Sequence, residues 1–451
     1  MKKKLKLHKK ISSFQVIILG FLGVILIGAV LLMLPFATKD GMGATFGDAL
    51  FTSTSAACVT GLVVQDTGSY WSLFGQGVLL VLIQIGGLGV VTVAAAIVRF
   101  SGRKISLMQR STLQDSISAP TVGGIVRLMN FILKGVFAIE LLGVVCMAPY
   151  FCGEFGFWGG IGRSVFHSIS AFCNAGFDVL GTKQAPFVSL TGQTAQPLIN
   201  VVIMLLIIVG GLGFLTWEDV KTHRLHLRRY RLQSKLILSV TAVLIVLPAV
   251  FLYFYEFTQP QWSDCSTTQK VFASLFQSVT LRTAGFNTVD LASLSEPTKA
   301  VMIVWMLIGG APGSTAGGLK VTTVAVLLMS AFSVVRRRND VTCFNRRLPE
   351  GTVNHAAAIL MMYIVLFFVG GVTISCVEGL PLLDCLFETA SAIGTVGVTT
   401  GITTGLSAAS QGILIVLMYL GRVGGLTLIF AATAGPRTFT SRFPKEKVTV
   451  G

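Results

Sequence analysis

The chain has 451 residues, 53% of them hydrophobic and only 12% charged, with a formal net charge of +16 and a mean hydropathy of +0.77. Soluble domains carry roughly 25% charged residues, so the composition excludes an ordinary soluble enzyme and places most of the chain in lipid. The positive excess does not point to nucleic acid, because it is gathered in short clusters between long apolar runs.

Six lysines, at 2, 3, 4, 6, 9 and 10, precede the first apolar run, residues 14–36. That run exceeds the ~7–15 residues of a signal-peptide core and lacks a small-residue cleavage site, so it is expected to stay as a spanning helix. Later basic clusters lie at 99–110, 221–235, 336–347 and 437–447. Each follows an even number of expected spans, the positive-inside pattern of a multi-pass protein with both termini cytoplasmic. Asp40, Asp48, Asp66, Glu154, Glu256, Asp264, Glu378 and Asp384 fall in the intervening loops. There they would concentrate cations at an outer entrance. The eight cysteines contain no CxxC pair and support neither a metal site nor a disulfide framework, although a bridge among Cys152, Cys265 and Cys385 stays open.

Four units follow one another, each reading as a spanning helix, a short re-entrant helix, a glycine turn and a return helix. The expected units cover 14–113, 114–231, 232–350 and 351–442, with cytoplasmic tails at 1–13 and 443–451. The short segments, 46–58, 158–173, 271–282 and 382–394, are the telling ones. About a dozen residues at 1.5 Å each reach only ~18 Å, too little for a ~30 Å hydrocarbon core. They must enter, stop and return. The return segments are 71–98, 197–217, 298–335 and 412–434. They share Gly-Gly-Leu runs at 86–88, 210–212, 317–319 and 424–426, read as close helix packing.

After each short segment comes a turn: Val59-Thr60-Gly61-Leu62, Asn174-Ala175-Gly176-Phe177, Thr283-Ala284-Gly285-Phe286 and Thr395-Val396-Gly397-Val398. The four glycines are 115, 109 and 112 residues apart. One glycine turn is commonplace; four in register imply one unit folded four times about an axis. Non-helical backbone at membrane depth is tolerated only where it is buried in protein or lines a wet cavity. The turns therefore imply a shared pore whose carbonyls replace the water shell of a cation, helped by the negative C-terminal ends of the re-entrant helices. Thr60, Thr283 and Thr395 can add side-chain oxygens, and Asn174 an amide at the corresponding place. Only one turn reads Thr-Val-Gly, so weaker rejection of sodium is expected than in a symmetric filter.

The third return segment is interrupted by Gly309-Gly310-Ala311-Pro312-Gly313-Ser314-Thr315-Ala316-Gly317-Gly318, which cannot propagate a helix. It is either a fixed kink or a loop lying across the pore below the turns. Arg422, alone in an apolar helix, costs ~2.5–3.5 kcal/mol on the mildest scale and should face a wet cavity or a partner. It is expected to face the pore and bind the loop. Glu388 reads as a hydrogen-bonding group behind the fourth turn, and no role follows for Lys134 and Glu140.

On these four turns, the run from Gly309 to Lys320 and Leu420-Gly421-Arg422, the chain resembles the Trk/Ktr/HKT superfamily of potassium transporters, most closely the membrane subunits of Ktr-type bacterial systems. The resemblance implies an all-α membrane protein with four helix/pore-helix/helix units around one pseudo-fourfold pore. It implies a filter glycine in each unit and an intramembrane gate loop at 309–318 with Arg422 beside it. The apolar segments hold no converging acid/base or nucleophile set, so no enzymatic activity is expected. The resemblance further implies a homodimer in a bacterial cell membrane, seated on a cytosolic ring of nucleotide-binding RCK subunits. No Rossmann-type Gly-x-Gly-x-x-Gly occurs here, so that ring would be a separate polypeptide; no cofactor is expected in this chain, and no metal beyond the transported K+. The alternative is a secondary active cation symporter with broken helices.

Overall fold

The computed structural model describes residues 12–102, 104–119, 121–338, 340–349, 351–425 and 427. The N-terminal lysines, the basic cluster at 437–447, Leu426 and nearly all of both tails lie outside the described residues.

The architecture is almost wholly helical; a short hairpin pairs Thr342–Cys343 with Arg346–Arg347. Of the four expected units, the first holds α1 (Ser13–Leu32), α2 (Phe46–Cys58), α3 (Leu73–Leu88), α4 (Val90–Phe100) and most of α5 (Leu107–Ile117), which runs across the expected boundary at 113/114. The second holds α6 (Ile125–Phe155), α7 (Phe157–Phe172), α8 (Pro197–Gly211) and α9 (Phe214–His223). The third holds α10 (Leu232–Phe251), continued by a π-helical turn over Leu252–Glu256, then α11 (Thr267–Thr280), α12 (Glu296–Met306) and α13 (Val321–Val335). The fourth holds α14 (Thr352–Glu378), α15 (Leu382–Gly394) and α16 (Ala408–Val423).

Helices α1, α6, α10 with its π turn, and α14 are each long and apolar enough to cross a bilayer. The chain is a multi-pass membrane protein. The short helices start at side-chain caps where the sequence supplies them: Thr45 Oγ1 accepts from the Asp48 N–H at 3.2 Å, and Ser266 closes a capping box with Gln269. Each short helix packs on the first helix of its own unit, α2 on α1, α7 on α6, α11 on α10 and α15 on α14. The return helix of each unit then packs on the short helix of the next: α3 on α7, α8 on α11, α12 on α15, and α16 back on α2. The short helices are thus surrounded by protein, and their residues are largely buried while α1, α6 and α14 expose apolar faces.

The return segments differ from expectation. Besides the expected break in the third unit, two bends are seen. Between α3 and α4 the chain bends by 100°, and between α8 and α9 by 97°. The hinges are Gly89 (φ 85°, ψ 134°) and Gly213 (φ 84°, ψ 141°); α16 ends on Gly424 in the same state (φ 86°, ψ 141°). Only glycine enters that backbone region freely. In the fourth unit the counterpart of Gly86–Gly89 is therefore 421–424, not the run at 424–426. Gly86, Gly210 and Gly421 each lie so near a carbonyl of their own short helix (Ala57, Phe172 and Ile393) that a Cβ would collide. Close helix packing was the expectation for these runs; it is seen at Gly86, Gly210 and, three residues before the expected fourth run, Gly421, whereas 317–319 lies at the non-helical end of the third unit's break.

Candidate functional site

The four short helices end in one repeated backbone form. Val59, Asn174, Thr283 and Thr395 take φ of 58°, 60°, 67° and 51°, and the glycines two residues on take 100°, 69°, 86° and 93°. Left-handed backbone is a genuine outlier for β-branched Val and Thr, and such strain persists only where the surroundings over-determine it. Here they do. The N–H of the residue between is tied back to its helix: Thr60 to the Ser55 carbonyl, Ala175 to Ser170 and Val396 to Ser391, each at 2.8 Å, and Ala284 to Thr280 at 3.0 Å.

The glycines face one another in cyclic order. A Cβ on Gly61 would lie 2.6 Å from the Ala175 carbonyl oxygen, on Gly176 2.7 Å from that of Ala284, and on Gly285 2.9 Å from that of Val396. On Gly397 it would meet the Thr60 oxygen, closest of the four, which closes the circuit. Each glycine thus stands against the carbonyl preceding the next glycine round. Leu62, Phe177, Phe286 and Val398, which follow, are all buried.

One expected correspondence changes. Val59, not Thr60, shares the left-handed position of Asn174, Thr283 and Thr395. Thr60 Oγ1 and Thr395 Oγ1 are buried with no hydrogen-bond partner among the described residues. Thr283 Oγ1 accepts from Asn174 Nδ2 at 3.5 Å, and that amide also donates to the Arg282 carbonyl at 3.2 Å.

Hydroxyls that the sequence reading passed over brace the turns. Ser55 Oγ and Ser391 Oγ accept from the N–H of Gly61 and Gly397, both at 3.0 Å. Ser170 Oγ donates to the Phe177 carbonyl at 2.7 Å and Thr280 Oγ1 to that of Phe286 at 2.5 Å. Superposing the units on their glycines would have exposed Ser55, Ser170 and Ser391 at one offset. Glu388 lies behind the fourth turn, as expected. It accepts from Thr399 Oγ1, from Thr403 Oγ1 at 2.8 Å and from the Thr400 N–H at 3.2 Å.

All four glycines line a cavity of about 140 Å³, with Asp66, Asp178 and Thr399 in its wall. Of the loop acids expected at an entrance only Asp66 is there. Glu256 instead accepts from Ser295 and Thr298, and Asp384 pairs with Lys299 at 3.4 Å. Asp178 was missed because it follows a turn rather than sitting in a loop of charges. Its Oδ1 accepts from the Leu180 N–H at 3.1 Å, and with Asp66 it puts a second carboxylate in the wall of this cavity.

On the other side of the turns lies the 309–318 segment. Its ends are zipped, Gly309 N–H to the Leu319 carbonyl at 2.8 Å and Val321 N–H to that of Gly310 at 3.1 Å, so it leaves the α12–α13 line as a closed loop. Ala311 and Thr315 donate their N–H groups to the carbonyls of Gly211 (3.0 Å) and Gly210 (3.3 Å), and Phe214 N–H returns a bond to Gly313 at 2.8 Å. Thr315 Oγ1 donates to the Phe172 carbonyl at 3.1 Å, Ser314 Oγ to that of Ala311 at 2.7 Å. Gly317 abuts the Thr395 side chain, and Gly318 the Gly394 carbonyl. Lys320 Nζ donates to the Ala316 carbonyl at 2.8 Å. From the opposite side the Arg422 guanidinium donates through Nη1 to the Thr315 carbonyl and through Nη2 to those of Gly86 and Gly87. Beyond the loop is a second cavity, about 330 Å³, lined by Pro312, Gly313, Ala316, Lys320, Arg422 and Gly424 among others.

The family model described as TrkH, cation transport protein, matches residues 3–441. The chain belongs to the TrkH family. Among its relatives, Ktr system potassium uptake protein B of Bacillus subtilis is 37% identical, covering 97% of this chain and 96% of that protein. The potassium/sodium uptake protein NtpJ of Enterococcus hirae is 35% identical over 99% of both. The crystal structure of the potassium transporter TrkH from Vibrio parahaemolyticus matches with a TM-score of 0.72 at 20% identity, over 97% of this chain and 87% of that one. This TrkH-family member is thus a transport protein rather than an enzyme, and it shares the TrkH fold.

Proposed function

We propose that the chain is the pore-forming membrane subunit of a potassium uptake system, passing K+ and some Na+ between four repeats arranged about a pseudo-fourfold axis. The observation that carries this is the closed circuit of Gly61, Gly176, Gly285 and Gly397, each against a neighbour's carbonyl. Such carbonyls can take the place of a cation's hydration shell. The filter is residues 59–62, 174–177, 283–286 and 395–398. The helix C-termini behind it place negative partial charge at its centre. The 309–318 loop and Arg422 are its gate. Relatives bearing the names potassium uptake and potassium/sodium uptake support the choice of ion.

The same reading includes a homodimer with cytoplasmic termini, working with a separate RCK-type ring of nucleotide-binding subunits. Growth of a cell stripped of its potassium uptake systems, on limiting potassium, tests it. Rescue by this chain, strengthened by the ring subunit, is expected. Flux in proteoliposomes that stopped without a second, co-transported ion would replace the pore with a symporter.

A further inference from the structure

At the end of the molecule away from the gate loop, α3 divides two grooves open to the surroundings, and Gly77 lines both. One, about 530 Å³, is walled entirely by apolar residues of α1 and α3, including Val24, Ile27, Leu31 and Val81. The other, also about 530 Å³, lies between α3 and α7 and carries Lys39 and Arg163 with no carboxylate in its lining. Trp158, 82% exposed, stands at its edge.

The two cations are held but not neutralised. Arg163 sits on α7, and its guanidinium turns back toward the start of that helix. There Nη1 donates to the Gly159 carbonyl at 3.3 Å and the guanidinium carbon stacks 4.0 Å from the Phe155 ring centre. Its Nε is buried without a partner among the described residues. Lys39 Nζ donates to the Gly68 carbonyl at 2.5 Å. Neither forms an ion pair among the described residues. An arginine in a lipid-facing wall reaches for the headgroup layer, and an exposed tryptophan marks the same level.

We infer that this double groove holds one anionic phospholipid, its phosphate on Arg163 and Lys39 and its acyl chains laid either side of α3 across Gly77. Guanidinium and phosphate match as a fork of donors against paired oxygens, and basic pockets between spanning helices are suited to lipid headgroups. Two positive charges and no acid favour a lipid of net negative charge over a zwitterion, whose own ammonium would meet them. Gly77 is the saddle: a Cβ there would touch nothing within 4 Å, so a chain can cross. The leaflet, though not the binding, rests on the orientation proposed above, which makes it the outer one.

The test counts lipid on the purified full-length protein by native mass spectrometry after exchange into phosphatidylglycerol or phosphatidylcholine. Wild type is expected to keep one phosphatidylglycerol per chain that Lys39→Gln/Arg163→Gln loses, with affinity down at least tenfold and phosphatidylcholine retention unchanged. Gly77→Phe, which fills the saddle without touching the interior, should lose the same lipid. Equal retention by wild type and both variants would overturn the assignment, as would displacement of the lipid by inorganic phosphate at matching concentration. Lipid counting does not depend on transport. A chain that kept the lipid yet failed to rescue potassium uptake would therefore sink the proposed function and leave this inference standing.

Discussion

Replacing Arg422 with Ala is expected to raise potassium flux through the membrane subunit alone by roughly ten- to a hundredfold. The guanidinium joins the Thr315 carbonyl of the loop to Gly86 and Gly87 of the first unit. Hydrogen bonds to charged groups contribute about 1.5–3 kcal/mol, and every ~1.4 kcal/mol is tenfold in an equilibrium. Without it the loop keeps its Gly210 and Gly211 bonds and loses its far anchor. Arg422→Lys should fall between, because an ammonium is a point charge that cannot fork over two carbonyls. Deleting part of 311–317 should act in the same direction, and the sodium-to-potassium ratio should hardly move because the turns are intact. The measurement is flux into liposomes at matched protein, with folding checked by gel filtration. Unchanged flux in folded protein would return the 309–318 segment to a fixed kink.

Substituting serine at the four turn glycines should damage selectivity unequally, in an order the distances set. A Cβ on Gly397 meets the Thr60 carbonyl oxygen most closely, whereas those on Gly61 and Gly176 stand 2.6 Å from the nearest atom and that on Gly285 2.8 Å. No real Cβ tolerates such gaps, so backbone must shift in every case. The positive φ adds roughly 1–2 kcal/mol of its own for an L residue. Gly397→Ser is expected to lose most potassium affinity and selectivity, at least tenfold, and Gly285→Ser least. Competition between sodium and potassium for uptake reads this directly. Four variants with wild-type affinity and selectivity would remove the turns from the ion path.

Much of this was legible in the sequence, for a physical reason: length is a hard constraint in a bilayer. Segments 46–58 and 382–394 are too short to cross, and they form α2 and α15 with those bounds. The interruption at 309–318 was legible because proline and clustered glycines cannot propagate a helix. The bends at Gly89 and Gly213 were not. A glycine that packs closely and a glycine that turns the chain look alike in sequence, and only φ near 85° tells them apart. The same ambiguity hid the register of the fourth unit, where Arg422 stands at the position of Gly87 and Gly211. The serines six residues before three of the glycines were visible but mute, since a hydroxyl in a buried helix most often bonds its own backbone.

Arg422 has that position to itself, and this carries a consequence about parts and copies. In a ring of four separate identical chains, any arginine placed there would come as four, crowding like charges around the axis, and any blocking loop would come as four as well. Fusing the units into one polypeptide removes that constraint, so a single bolt can meet a single door. On the proposed gating, opening is then one event per pore, with no partly unlocked intermediates between neighbours. Any steepness in the response would then need coupling between separate pores, through the proposed dimer or the proposed ring beneath it.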